Sequence, residues 1–273
     1  ATMKIFRYMP DNRQWFSFMF PGWKSAVEAS REIAQGEFGL PAVYRISDPE
    51  ETEIGLKLKG FGDGLWDRFI RLRGFESMKR CLCIGTVEGE KRFARHVKKQ
   101  VSKIARKYGA MSLTGYPTRQ WEHGRYADIH IRDDLLDYGI IVDTLESGVT
   151  WENLLQLHRG VRSFVKQRPK TLCLTHASHF YPQGTNLYFI FMIKPHDPDE
   201  FIQFRSDIVD RILEHGGSIS HHHGIGRMFA PWLENHLGKE QLDILRAVKK
   251  HLDPNNILNP GGQLALDGVP DKR

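Results

Sequence analysis

Three consecutive histidines, His221, His222 and His223, lie in the run Ser-Ile-Ser-His-His-His-Gly-Ile-Gly at 218–226. Histidine is the side chain whose ordinary pKa falls within the physiological range, so three together point to proton transfer or metal binding. Gly224 and Gly226 carry no side chains, which lets a flat ligand approach the backbone beside the imidazoles. The run is internal, between Ile219 and Ile225, which excludes an appended affinity tag. A solvated polar turn is the other reading of the same residues. On an extended strand end His221 and His223 share one face and His222 opposes them, so the three need not act alike.

The elements that must position this run repeat one pattern twice. The first pass has a strand at 15–20 and a helix at 22–35, with Trp23, Ala26, Val27, Ser30, Ile33 and Ala34 on one face. A strand at 42–46, a helical insertion at 49–75 and a strand at 81–87 follow. A helix at 89–108 carries Phe93, Val97, Val101, Ile104 and Tyr108 at helical spacing, and a short strand at 110–113 closes the pass. The second pass has a strand at 139–146, then Thr150 as the N-cap of a helix with Trp151, Leu154, Leu155, Val161 and Phe164. A strand at 171–180 turns through Pro182-Gln183-Gly184 into a strand at 187–193, whose unbroken apolar run predicts burial on both faces. A helix at 198–215 and a strand at 218–220 lead to the histidines. Helices over 231–252 and a tail at 253–261 complete the chain. This order predicts an α+β fold, an antiparallel sheet with helices, built as two tandem ferredoxin-like halves that each contain βαβ, plus C-terminal helices.

Composition narrows the function. At 273 residues, 40% hydrophobic and 26% charged, the chain fits one large or two small domains. The net charge of +6 is spread over amphipathic segments. That favours an anionic small ligand over nucleic acid, for which the interleaved aromatic and basic motif of single-strand binders is missing. Cys81, Cys83 and Cys173 are odd in number and lack disulfide or zinc spacing, which predicts reduced thiols. No apolar stretch reaches transmembrane length and the N-terminus has no secretory pattern, so the location expected from the residues alone is cytoplasmic. No glycine-rich strand–turn–helix dinucleotide loop occurs, so the phosphate-binding half of any nucleotide cofactor is expected outside these residues.

The segments HGGSISHHHGIG and DPNNILNPG (253–261) resemble the C-terminal domain of FAD-linked oxidases of the vanillyl-alcohol oxidase type. Within that superfamily the chain is most similar to the alkyldihydroxyacetonephosphate synthase branch. The segments FSFMFPGWKSAVEASREIA, VYRISD at 43–48, IRDDLLDYG at 131–139, LESGVTWENLLQLHRGV and YPQGTNLYF at 181–189 also carry the resemblance. It covers nearly the whole chain. It implies that residues 1–273 are a cap or substrate domain and that the N-terminal FAD-binding domain is absent from this chain. In the related D-2-hydroxyacid dehydrogenase branch two metal-binding histidines lie seven residues apart, and a glutamate precedes His-Gly-Ile-Gly. The matching positions here are Tyr181, Tyr188 and His222. Tyrosine, with a pKa near ~10, is a poor divalent-metal ligand at neutral pH, so no metal is expected and the histidines are expected to move protons.

The resemblance implies an activity as well. The branch exchanges the acyl group of acyl-dihydroxyacetone phosphate for a fatty alcohol, in ether lipid synthesis, without net redox change and through an adduct at the flavin N5. It places His221, His222, His223 and Tyr188 at the catalytic site, where imidazoles and a phenol suit proton transfer. Arg132 and Arg45 fall on substrate-binding positions, where a guanidinium clasps phosphate, and Asn259 falls near the flavin. Each has a plainer reading. His221 could only orient its neighbours, Tyr188 could be a core tyrosine and Arg132 could bridge to Asp133 or Asp134. Arg45 could pair with an acid, and Asn259 could belong to an ordinary turn. Tyr181 is left open between a functional and a structural role, and His176 and His179 could border the expected cleft without an assigned role. The implied cofactor is FAD, bound mainly by the other domain, and the fragment alone is expected to be inactive. The implied partners are the two lipid substrates, the FAD-binding domain, a membrane surface and a second copy of the full-length protein. The resemblance adds a location peripheral to a membrane, and a eukaryotic form would be peroxisomal. The alternatives are a domain of an FAD-dependent dehydrogenase or oxidase for hydroxy acids, and a stand-alone ligand-binding domain. The fold is expected to bring the end of strand 218–220 beside strand 187–193. At least three of His222, His223, Tyr188, Arg45 and Arg132 should then lie within a ligand's span, in a cleft open on one side.

Overall fold

The computed structural model, which describes residues 2–5, 12–127, 130–262 and 264, is α+β, with seven strands and ten helices among those residues. The chain forms two units, one from residues 1–129 with 176–183 and the other from 130–175 with 184–273.

The first unit contains β1 (Arg13–Phe20), α1 (Trp23–Gln35), β2 (Val43–Ser47), α2 (Pro49–Leu58), α3 (Leu65–Leu72), β3 (Cys81–Glu88), α4 (Lys91–Lys107), β4 (Met111–Ser112) and α5 (Tyr116–Gly124). Its strands run in the order β4-β1-β3-β2. The pairings are antiparallel, with Phe18 opposite Cys83 and Ile46 also opposite Cys83 from the other side. The ring of Phe16 lies over Gly85, where an added Cβ would meet the ring at 2.3 Å, so only glycine fits there. α1 buries Ala26, Val27, Ala29, Ser30, Ile33 and Ala34, the three-to-four spacing of a helix with one apolar face. α2 starts at Asp48, whose carboxylate accepts the Glu51 N–H at 2.9 Å, with Pro49 in the first turn. The helical insertion is tied to the sheet by Arg80. This side chain is 0% exposed and pairs with Glu53 at 3.1 Å and Asp67 at 2.7 Å. Removing one member of such a buried set leaves a charge uncompensated.

The second unit contains α6 (Ile131–Leu136), β5 (Ile141–Thr150), α7 (Leu154–Gln167), β7 (Gly184–Ile193), α8 (Pro198–Glu214), α9 (Ala230–Leu237) and α10 (Lys239–Leu252). β6 (Leu172–Ser178) is shared: 172–175 belong to the second unit and 176–178 to the first. In the first unit its end pairs with β2, placing His176 opposite Ser47. β5 and β7 are antiparallel from Ile141 opposite Ile193 to Thr150 opposite Gly184. α7 and α8 pack through stacked Phe164 and Phe204 rings, 5.5 Å apart, and Arg205 of α8 pairs with Asp143 of β5 at 3.0 Å.

Four expectations need correction. Residues 218–220 form no strand, because the backbone donors that follow them go to a side-chain carboxylate instead of a neighbouring strand. The neighbour of Ser218 is β5, through Gly148, and not the 187–193 strand. Thr150 is the last residue of β5 and α7 begins only at Leu154, so Trp151 packs in the intervening turn. β7 is not buried on both faces: Leu187, Phe189, Phe191 and Ile193 are buried, while Tyr188, Ile190 and Met192 are half-buried. Its apolar run hides an ordinary two-residue alternation. Cys81, Cys83 and Cys173 are all buried. No helix among the described residues is long and apolar enough to cross a membrane.

Candidate functional site

The site in the second unit is built on the β5–β7 pair. Glu146 lies directly opposite Tyr188 and Gly148 directly opposite Asn186, which puts all four on one face. Beyond α8 the chain turns at Gly216 and Gly217. A side chain at Gly217 would run into Ser147 Oγ at 2.5 Å and Leu157 and Ile212 at 2.9 Å, so glycine is required for this approach. Ser218 then docks on β5: its N–H donates to the Gly148 carbonyl at 2.9 Å, and the Gly148 N–H donates to Ser218 Oγ at 2.8 Å.

That anchor draws the histidine turn over Glu146, which is 1% exposed. One carboxylate oxygen, Oε1, accepts from Ser220 Oγ at 2.8 Å and from three successive backbone N–H groups, of His221 at 2.6 Å, His222 at 2.8 Å and His223 at 2.9 Å. Burial pushes the Glu146 carboxyl up, but the N–H groups of His223, His221 and His222 and the Ser220 hydroxyl outweigh it and hold it below the usual carboxylate value. Oε2 is buried without a hydrogen bond, 3.2 Å from His222 Nδ1 and 3.9 Å from His221 Nδ1. His221 and His222 face each other Nδ1 to Nδ1 at 3.1 Å, so one donates and the other accepts. The His222 ring sits edge-on to His223, centroids 4.7 Å apart, and His223 sits edge-on to Tyr188 at 5.2 Å. The side-chain amide of Asn186 is wholly buried and neither its oxygen nor its nitrogen is hydrogen-bonded. Orphaned polar atoms of this kind mark a place where a polar partner fits.

Thus the structure brings His221, His222, His223 and Tyr188 together. Arg132 stands exposed on α6, whose Asp133 faces His130 at 3.9 Å. Asn259 has φ +52 and accepts the Gly262 N–H at 3.1 Å, the geometry of a turn. The tail before it is organised by Asp253, which accepts the N–H groups of Ile257 at 3.0 Å and Leu258 at 2.9 Å.

The first unit holds a second arrangement. Arg45 on β2 pairs with Glu51 of α2, and the same Glu51 oxygen lies 3.1 Å from His176 Nδ1. This is the acid partner expected of a strand arginine. Burial pushes the Glu51 carboxyl up, but His176 and Arg45 bring it down to about 2. Burial also lowers His176 despite Glu51 beside it. Arg45 Nε and Glu51 Oε2 remain buried without hydrogen bonds. Both residues line a cavity of ≈ 650 Å³ whose other walls include Leu56, Phe69, Ile70 and Trp121. Tyr181 and His179 are exposed in this unit, His179 with φ +54 and its Nδ1 3.1 Å from Ser178 Oγ.

Sequence reasoning missed Glu146, Asn186, Glu51 and the cavity. The signal for Glu146 was weak: it is one of two acids, with Asp143, in a strand that also holds Thr144, Ser147 and Thr150, although an acid that is buried there needs a partner. For a flavin, the described residues offer no dinucleotide loop. They do offer an open flank, because at Gly224 and Gly226 an added Cβ would meet nothing within 4 Å, beside the exposed His222 and His223. That flank leaves open space for a ring, while the phosphates of a dinucleotide would need residues from elsewhere.

A family model for the C-terminal domain of FAD-linked oxidases matches residues 9–262. The alkyldihydroxyacetonephosphate synthase of Dictyostelium discoideum is 32% identical over 95% of this chain and 45% of its own. A D-lactate dehydrogenase of Archaeoglobus fulgidus is 41% identical over 96% of this chain and 53% of its own. A solved alkyldihydroxyacetonephosphate synthase superimposes with a TM-score of 0.72 at 28% identity, over 92% of this chain and 45% of that one. The chain spans about half the length of these relatives.

Proposed function

The chain belongs to the C-terminal domains of FAD-linked oxidases, and on that premise we propose that it is the substrate-side domain of a flavoenzyme. The reaction is exchange of the acyl group of acyl-dihydroxyacetone phosphate for a fatty alcohol. The observation that carries this reading is the histidine turn held on Glu146 beside Tyr188, a set of proton-handling groups fixed by one carboxylate oxygen that accepts three backbone N–H groups and a hydroxyl. Exchange at a carbon next to a ketone needs a proton removed from that carbon and returned, and a proton taken from the entering alcohol as the acid departs. Imidazoles do both near neutral pH. In His221 and His222 the Nδ1 atoms face each other, so the outer Nε2 atoms are the ones that exchange protons with substrate. Glu146 fixes the turn and stays ionised. The Tyr188 phenol, on the same strand face, donates to the substrate carbonyl. A bound flavin supplies the electron-pair acceptor, and Gly224, Gly226, His222 and His223 are the residues here that would border it.

The apolar cavity of the first unit suits an alkyl or acyl chain, with the Arg45–Glu51 pair at its polar end. Arg45 is already neutralised by Glu51, so of the two arginines the exposed Arg132 is the better candidate for the phosphate contact. The tandem ferredoxin-like architecture is part of the same proposal. The β4-β1-β3-β2 order supports it for the first unit, and the second repeats β-α-β-β-α without a final strand. The 41% identity to a D-lactate dehydrogenase favours a second reading, a hydroxy-acid dehydrogenase.

The test uses the full-length protein carrying FAD. Labelled fatty alcohol with acyl-dihydroxyacetone phosphate should give labelled alkyl product, and His222→Ala should lower the rate by about 10²–10⁴ with flavin content unchanged. Turnover of D-lactate or another 2-hydroxy acid with a dye acceptor, and no alkyl product, would replace this reading with the dehydrogenase.

A further inference from the structure

α2 presents one face to the ≈ 650 Å³ cavity of the first unit, which Glu51, Thr52, Gly55, Leu56 and Lys59 all line. Glu51, Gly55 and Lys59 follow one another at four-residue steps with Thr52 and Leu56 alongside, the spacing of a single helix face. The face begins at the largely buried Arg45–Glu51 pair and ends at exposed Lys59, the C-cap. At the rise of an α-helix that is a length of roughly 12 Å, and Gly55 stands at its midpoint. Leu82 and Ile84, two residues apart on β3, add apolar wall on the sheet side.

Packing does not ask for a glycine at 55. The chain there is helical and outside the left-handed region that favours glycine. Among the described residues, no atom would lie within 4 Å of a Cβ added at 55. Gly85 of the same unit is the contrast, since a Cβ there would strike the Phe16 ring. Glycine also weakens a helix interior more than any residue except proline. What the missing side chain at 55 leaves is room, and that room belongs to the cavity.

We propose that Gly55 determines which hydrocarbon chains the cavity admits. With no side chain it leaves the middle of the α2 wall clear for an unbranched chain lying along the helix, and a larger residue at 55 limits the length that fits. This rests on the cavity being the chain site of the proposed reaction, and it adds the residue that sets chain selectivity.

The experiment uses the full-length protein carrying FAD, as wild type, Gly55→Ala and Gly55→Leu. Alkyl exchange is measured with decanoyl, tetradecanoyl and octadecanoyl substrates at one fixed alcohol, then with alcohols of the same lengths at one fixed acyl group. In one of the two series Gly55→Leu should lower kcat/KM for the longest chain at least about tenfold and leave the shortest at its wild-type value. The series that responds tells whether the acyl or the alkyl chain lies along α2. Gly55→Ala should show a smaller loss in the same direction and melt no lower than wild type, because alanine is the better helix former. A binding measurement needs no turnover: dibrominated octadecanoic acid should quench the fluorescence of Trp66 and Trp121, which line the cavity. The quenching should disappear in a Trp66→Phe, Trp121→Phe variant and weaken about tenfold in affinity in Gly55→Leu. Quenching that depends on Gly55, with no alkyl product from any chain, would remove the proposed reaction and keep the role of Gly55. Equal loss at every chain length, an unchanged profile in both series, or no quenching from these two tryptophans would each overturn the proposal.

Discussion

Glu51 in the first unit and Glu146 in the second are two solutions to one problem. Each is a largely buried carboxylate with one oxygen bonded and the other without a hydrogen bond. Glu51 is held by other side chains, the guanidinium of Arg45 and the imidazole of His176. Glu146 is held by main-chain N–H groups and one hydroxyl. A carboxylate balanced by a cation removes that cation from other work. A carboxylate balanced by backbone dipoles fixes a segment of chain and leaves the rings on that segment to face outward. The first arrangement walls a cavity, and the second holds three imidazoles in a fixed turn.

The largest expected effect separates these two roles. Glu51→Leu leaves the Arg45 charge buried beside a cavity and should cost about 3–5 kcal/mol in urea denaturation. Adding Arg45→Met should recover most of that loss, since apolar replacement of both partners is often neutral. A double variant no more stable than the single one would show that Arg45 has another partner. Glu146→Gln keeps the volume, but its amide offers a weaker acceptor to four donors, so the expected stability loss is smaller, about 2 kcal/mol. Here the larger change is in turnover, because the imidazoles lose their placement: the exchange rate should fall about a hundredfold with flavin binding unchanged. Wild-type turnover in Glu146→Gln would reduce the carboxylate to a structural peg.

The smallest effect is with pH, and it also distinguishes the units. His176, Glu51 and Glu146 all titrate below their ordinary values of 6.5, 4.5 and 4.5. The unfolded chain therefore binds more protons than the folded one as acid is added, and stability falls. The first unit should begin to lose stability as pH drops through 6.5, where unfolded His176 takes up its proton. Below 4.5 both carboxylates add to the loss, the Glu51 part continuing to about pH 2. Thermal melting against pH reads this directly, and His176→Gln should flatten the slope between pH 6.5 and 4.5. A melting temperature that rises on acidification in that range would contradict the burial of His176 as a neutral ring.

How far the sequence reaches is clear from particular residues. Apolar spacing locates α1, α4 and α8 well, and α7 apart from its start, because burial of one face imposes the three-to-four period on the residues themselves. It also nominates His221–His223 and Tyr188, which the fold does bring together. The same spacing cannot tell which way a face points. α3 has the pattern of a packed helix, yet its apolar stripe faces solvent because Asp67 is pulled inward by Arg80. Glu146 is missed for a related reason: its partners lie 74 to 77 positions away, and three of the four are backbone groups, which carry no residue identity to search for. Residues 218–220 look like a strand because Ile219 is buried between serines, but a single docking at Gly148 replaces a ladder.

The occupied state of the histidine turn has one more consequence. Successive N–H groups converging on one point form the kind of concave cradle that captures phosphates and oxyanions in many proteins. In this molecule the cradle comes with its anion built in, since Glu146 Oε1 fills it from below. An incoming phosphate therefore finds no main-chain donors at 221–223. At this turn any anion must be read by side chains, and a bulky headgroup is steered away from the imidazoles by a negative charge it cannot displace.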